Sequence, residues 1–237
     1  MKIDEFISEI EKLNIDFDEK KLDLLKKYAD FLLEYNKKVN LTAIRDIEGV
    51  YLKHFFDSIL VVNNTSINFN DINNLIDVGT GAGFPGVVIK IFFPHISVTL
   101  LDSNGKKTTF LEKLVNYLNL EGVTIINDRA ENFVKNNRQK FDVSIARAVS
   151  ELRIISELCI PLTKVNGYFI ALKSNYDEEL KTATSTIEIL GSKIETIREF
   201  ELPKENSKRS VICIRVDSVI NEKYPRPYDQ IIKKPLK

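Results

Sequence analysis

Apolar residues at Ile3, Phe6, Ile7, Ile10 and Leu13 repeat with the spacing of one helix face. Asp18 stands where a helix cap belongs, ahead of a second stripe made by Leu22, Leu25, Tyr28, Leu32 and Tyr35. A third helical stretch is predicted over residues 47–62, carrying Tyr51, Phe55, Ile59 and Leu60. Residues 63–74, rich in Asn, Ser and Asp, read as a loop or linker. After them the rhythm changes to short apolar runs at 75–78, 98–101, 123–126, 141–146 and 168–172. These five alternate with helical spacings such as Phe110, Leu111, Leu114, Tyr117 and Leu118, the signature of a parallel sheet covered on both faces. Two further runs, 192–200 and 209–216, are joined by 203–208 with no room for a helix, so they are predicted to close the sheet as an antiparallel hairpin.

The pattern divides the chain into a helical N-terminal extension (1–72), an α/β core (73–220) with a seven-strand, mainly parallel sheet, and a basic tail (221–237). With 237 residues, 43% apolar and 29% charged, the chain can bury a core without staples. Cys159 and Cys213 form no Cys-x-x-Cys and there are only two histidines, which argues against a disulfide scaffold or a zinc cluster. The acidic start and the lack of an apolar run near 18 residues point to a cytoplasmic chain with no membrane partner. The 34 basic and 34 acidic residues balance, so any grip on nucleic acid must come from local clusters.

The most informative stretch is LIDVGTGAGFPGVVIKIFF, residues 75–93: a strand, then Gly79, Gly81, Gly83 and Gly86, then an apolar helix. Gly81, Gly83 and Gly86 satisfy the dinucleotide fingerprint, and Asp102 ends the next strand 19 positions after Gly83, where a ribose-binding acid belongs. Two residues oppose a pyrophosphate. Asp77, just before the turn, would repel phosphate but suits an ammonium or sulfonium, and Pro85 removes one N–H at the helix start. The Asp-x-Gly-x-Gly-x-Gly run resembles motif I of the class I S-adenosylmethionine-dependent methyltransferases. That resemblance implies a Rossmann-like fold, glycines that admit the cofactor to the backbone, Asp77 near its methionine moiety and Asp102 on its ribose.

Acceptor chemistry is narrowed by what is missing. No Asn/Asp-Pro-Pro-aromatic run follows the fourth strand, where Ser144–Val149 reads SIARAV, so amine methylation lacks its usual motif. Cys159 lies in apolar ISELCIPL and reads as a buried structural thiol instead of a nucleophile. His54 and His95 are isolated, and no general base stands out. An acceptor that is already nucleophilic, such as guanine N7, would need only positioning and electrostatics.

Several blocks together resemble the RsmG family, also called glucose-inhibited division protein B. They are Gly83-Phe84-Pro85-Gly86, Asp102-Ser103 with Lys106-Lys107, Arg129-Ala130-Glu131, Ala146-Arg147-Ala148, YNKKVNLTAIRD (35–46), LKHFFDSI (52–59) and Lys223-Tyr224-Pro225-Arg226. The resemblance implies methylation of guanine N7 in bacterial 16S ribosomal RNA, in the small subunit or its assembly intermediate. It implies that Gly79, Phe84 and Ser103 meet the cofactor, that Ala130 and Glu131 hold its adenosine, and that Arg147 stands at the cofactor and substrate mouth. After Arg226 the sequence departs from the family by inserting 227–232 before Lys233-Lys234-Pro235-Leu236. Lys53 and His54, which without the resemblance read as a solvated helix face, become RNA candidates. So do Lys173 and the tail cations Lys223, Arg226, Lys233, Lys234 and Lys237. Lys106 and Lys107 open a helix, where they oppose its dipole and suggest an anion. No metal is expected, and nothing in the sequence demands a dimer. A small-molecule methyltransferase and a non-catalytic S-adenosylmethionine-binding assembly factor are the competing readings.

Overall fold

The computed structural model describes residues 1–147, 150–174, 176–205 and 208–236. Helix α1 (Ile3–Glu11) buries Phe6 and Ile10, and α2 (Glu19–Asn36) begins where Asp18 accepts the Lys21 amide at 2.8 Å. The predicted third helix is a composite: α3 (Ile47–Val50), a π-helical turn (Tyr51–Phe56) and α4 (Asp57–Asn63) run on without a break. A π-turn widens the helix locally, which the apolar spacing alone does not reveal. The linker at 63–74 contains a 3-10 turn, Phe69–Asp71, whose Phe69 is buried.

The core alternates β1 (Asn74–Val78), α5 (Gly86–Phe92), β2 (Ser97–Asp102), α6 (Gly105–Tyr117), β3 (Val123–Asn127), α7 (Ala130–Asn137), β4 (Phe141–Arg147), α8 (Leu152–Cys159) and β5 (Thr163–Lys173). It continues through α9 (Asp177–Ile189), β6 (Ser192–Glu201) and β7 (Lys208–Val216), with α10 (Tyr228–Lys233) in the tail. Strand β5 starts five residues earlier than its apolar run predicts, because buried Thr163 already pairs with Phe141, ahead of a register shift between Phe141 and Val143. The strand order is β3-β2-β1-β4-β5-β7-β6. β1 to β5 pair in parallel and β7 lies antiparallel between β5 and β6, as the hairpin reading expects.

Successive strand residues feed two different cores, the period-two alternation of a sheet buried on both faces. Leu75, Leu100, Ile145 and Ile170 join one cluster together with Phe6, Tyr28, Phe55 and Ile59. Ile76, Leu101, Ala146 and Phe169 join the other, with Leu158, Ile187 and the tail residues Tyr224 and Ile231. The N-terminal helices therefore cover one sheet face, with their core continuous across residue 72. The order reverses between β1 and β4, and the crevice at that switch point is where such sheets bind ligands.

Candidate active site

A cavity of about 480 Å³ opens at the C-terminal ends of β1, β2 and β4. Gly79 (φ 72°) and Gly81 (φ 62°) bend the chain after β1 through the left-handed region, where an L side chain is strained. The turn is tied down on both sides. The Gly79 amide donates to the Leu101 carbonyl at 2.8 Å, and the Gly81 amide to Asp102 Oδ2 at 2.9 Å. Asp102 Oδ1 accepts the Asn104 amide at 2.9 Å, and Lys107 Nζ stands 3.8 Å from Oδ2. The carboxylate is thus fixed at the cavity edge with lone pairs left for a diol. Ser103, Lys107, Asp128, Arg129, Ala130 and Glu131 continue that wall.

Two residues expected at the cofactor are not among those lining the cavity. Asp77 is fully buried; its Oδ2 accepts the Thr80 hydroxyl at 2.7 Å and the Gly86 amide at 2.8 Å, while Oδ1 has no partner among the described residues. Burial pushes its carboxyl up to about 6, against the two hydrogen bonds that favour the charge. Asp77 closes the loop from beneath. Gly83 has no room for a side chain: a Cβ there would stand 2.7 Å from both the Tyr28 hydroxyl and Val87. Two amides at the start of α5 are spent inside the loop, Gly86 on Asp77 and Val87 on the Gly83 carbonyl. A pyrophosphate finds those two donors taken, whereas a nucleoside with a sulfonium side chain would meet Asp102 and an aromatic wall.

That second wall is Phe84, His54, Thr42, Leu41 and Arg147. Phe84 stacks on His54 (centroids 4.3 Å, 12°) and on Tyr28 (5.2 Å, 10°), and the Arg147 guanidinium lies 5.1 Å from its ring centre. Arg147 Nη1 donates to Asp57 Oδ2 at 3.0 Å and to the Lys53 carbonyl at 3.1 Å, while Nη2 lies 3.2 Å from His54 Nδ1. Asp57 is buried and pairs also with Arg209 Nε at 3.3 Å. Burial first, then the Arg147 charge, hold the His54 imidazole down to about 3.

The solvated-face reading is corrected for His54, which is buried, whereas the Lys53 side chain stays 39% exposed. The π-turn brings His54 into the cavity wall, and Lys53 Nζ pairs with Glu205 at 2.7 Å. Two RNA candidates also hold internal partners. Lys173 pairs with Glu179 at 2.7 Å and donates to the Ser150 carbonyl. Arg226 meets Glu157, which is wholly buried, through Nε at 2.8 Å and Nη2 at 2.7 Å. The tail is therefore docked, and Tyr228 of α10 reaches the cavity wall beside Arg129. Lys223, Lys233 and Lys234 remain exposed, and Lys237 and Ala148 lie outside the described residues. Beside the cavity, a groove lined by Lys38, Lys106 and Lys107 has no carboxylate among its described lining residues.

Cys159 is buried and desolvation raises its thiol well above the usual value, the opposite of what a nucleophile needs. His95 is exposed, near the Phe69 carbonyl. Among the described residues no cluster of three His, Cys, Asp or Glu could hold a metal, and no helix is long and apolar enough to cross a membrane. The sequence reading did not single out Thr42, Asp57 or Glu157, and it placed Tyr28 only on an apolar stripe. Thr42 and Asp57 lie inside YNKKVNLTAIRD and LKHFFDSI, so the blocks were visible although the roles were not.

Among solved structures, the chain resembles M. jannaschii TYW2 in complex with AdoMet, with a TM-score of 0.51 and 11% identity over 85% of this chain and 77% of that one. It also resembles a SAM-dependent O-methyltransferase from Thermotoga maritima (TM-score 0.53, 13% identity, 79% and 72% covered). At such identities the likeness shows the fold, that of class I S-adenosylmethionine-dependent methyltransferases. In sequence, the ribosomal RNA small subunit methyltransferase G of Bacillus subtilis (strain 168) is 44% identical over 239 residues, covering 100% of this chain and 99% of the relative. The protein of the same name from Staphylococcus carnosus is 41% identical, with 100% and 99% covered. The model of the GidB family, rRNA small subunit methyltransferase G, matches residues 21–211, and the chain belongs to that family.

Proposed function

We propose that this enzyme, acting as a monomer, methylates N7 of a guanine in the 16S RNA of the bacterial small subunit or its assembly intermediate. When bound, S-adenosylmethionine supplies an electrophilic methyl on a sulfonium. Asp102 orients the ribose, Ala130 and Glu131 flank the adenosine, and Gly79 and Gly81 admit the cofactor to the backbone. Phe84 and Arg147 form the wall where the acceptor enters.

One observation carries the choice of acceptor. The imidazole at the mouth, His54, is held neutral and its Nδ1 faces the Arg147 guanidinium, so it is a poor proton acceptor. A hydroxyl would need a base before it could attack, and an exocyclic amine must shed a proton after transfer; guanine N7 needs neither. Its lone pair forms the new N–C bond as the C–S bond breaks, with the electron pair staying on sulfur and no proton moving. Catalysis then rests on holding two reactants in line.

For the RNA, the exposed Lys223, Lys233 and Lys234 and the groove at Lys38 and Lys106 are the phosphate contacts of this reading; none of the five has a salt bridge recorded among the described residues. Removing exposed phosphate contacts flattens the dependence of RNA affinity on salt. The decisive experiment incubates the enzyme with labelled S-adenosylmethionine and either total RNA or small subunits from a strain lacking the enzyme. N7-methylguanosine in 16S RNA is expected. Turnover on a small molecule alone, or cofactor binding with no methyl transfer to any RNA form, overturns the reading.

A further inference from the structure

Arg147 Nη2 lies 3.2 Å from His54 Nδ1, and a guanidinium only donates. The Lys53 carbonyl also neighbours the ring, but Arg147 Nη1 donates to it at 3.1 Å, so the arrangement that satisfies both guanidinium nitrogens has Nδ1 accepting and the ring proton on Nε2. Nε2–H donates to Thr42 Oγ1 at 2.8 Å. The same oxygen accepts the Ile44 amide at 3.1 Å. Both acceptor positions of the hydroxyl are filled, and its own proton has no recorded acceptor among the described residues.

That hydroxyl is also held in place. Asn36 Oδ1 accepts the amides of Leu41 (2.8 Å) and Thr42 (3.1 Å), and its Nδ2 donates to the carbonyls of Thr42 (2.9 Å) and Ile44 (3.3 Å). Thr42 lines the cavity together with His54, Phe84 and Arg147. A fixed donor with a spare proton stands in the cavity wall.

We propose that Thr42 donates its hydroxyl proton to O6 of the acceptor guanine and thereby selects guanine over adenine. The inference rests on the N7 reading above. Guanine presents N7 and O6 as acceptors on this edge, whereas adenine presents N7 and an amino donor. N7 must keep its lone pair for the methyl, which leaves O6 as the atom to be read. A hydroxyl donor there is satisfied by guanine; adenine would face it with another donor. Methyl transfer leaves positive charge on the purine and makes O6 a weaker acceptor. The contact therefore orients and selects the base without lowering the barrier through charge. Arg147 has a second task in this arrangement: its guanidinium fixes the His54 tautomer that leaves the Thr42 proton free.

The test needs two variants and one measurement on the unaltered enzyme. Thr42→Val, which keeps the shape and loses the hydroxyl, is expected to slow single-turnover methylation of 16S RNA by roughly tenfold or more at saturating RNA. It is also expected to narrow the preference for guanine over adenine at the methylated position, with cofactor affinity by calorimetry unchanged. Thr42→Ser restores both. An undiminished rate in Thr42→Val, or a loss that appears as weaker binding of S-adenosylmethionine, overturns the proposal; the latter assigns the hydroxyl to the cofactor. Nitrogen-15 NMR of His54 in the wild-type protein is independent of how the variants fold. The Nε2–H tautomer is expected, and an Nδ1–H form, donating to the nearby Lys53 carbonyl, overturns the proposal. N7-methylguanosine formation by the wild-type enzyme tests the underlying reading separately.

Discussion

Gly79, Gly81 and Asp102 reach the cavity from the turn after β1 and the end of the neighbouring strand β2, whereas Thr42, His54, Asp57, Arg147 and Arg209 come from a loop, a helical run and the strands β4 and β7. The first wall works through backbone: left-handed glycines, amides given to carboxylates, one fixed acid. The second works through buried charge, with one carboxylate, Asp57, between two guanidiniums. Backbone geometry is set within a few residues. Buried charges are tolerable only when the whole fold supplies their partners. The nucleoside side of the site is thus locally encoded, and the acceptor side depends on the fold being complete.

Breaking the second wall should have the larger effect. Asp57→Ala leaves Arg147 and Arg209 without their shared carboxylate, and a loss of about 3–5 kcal/mol in chemical unfolding is expected, with methyl transfer falling further than cofactor affinity. If the variant is as stable as wild type, the wall is not held by this pair.

The pH dependence separates His54 from Asp77. The unfolded chain protonates His54 near its ordinary 6.5, but the fold refuses that proton until about 3, so stability is lost as pH falls through this window. Asp77 acts in the opposite sense. Its folded value of about 6 lies above the unfolded 3.8, so stability is gained as pH falls between them. Relative to wild type, His54→Gln should regain roughly 3 kcal/mol between pH 6.5 and pH 4. Asp77→Asn should give a steeper acid loss than wild type. Denaturant midpoints across pH read both, and parallel curves for His54→Gln and wild type would show that His54 is not buried neutral.

The first wall is expected to answer more mildly and without unfolding. Asp102→Ala should weaken S-adenosylmethionine binding by about 1–3 kcal/mol, measured by calorimetry, with NAD(H) giving no heat in either protein. Tight NAD binding would sink the reading of the α5 start as closed to phosphate.

The sheet was legible because each strand is a short apolar run between helical spacings, and the hairpin because 203–208 is too short for a crossover. The glycine turn and Asp102 were legible for a similar reason: φ above zero and the strand-end acid are local demands that a few residues meet. What the sequence could not assign was the destination of its charges. Lys53, Lys173 and Arg226 look like any other surface cations until the fold brings Glu205, Glu179 and buried Glu157 against them. Nor does the sequence show that Asp77 Oδ2 is taken by Thr80 and the Gly86 amide. His54 looked solvated because the π-turn that carries it inward leaves no mark in the apolar period. Periodicity and turn chemistry act over a few residues and survive in one dimension. Ion pairing, burial and tautomer choice depend on which distant segments meet, and only the tertiary structure decides that.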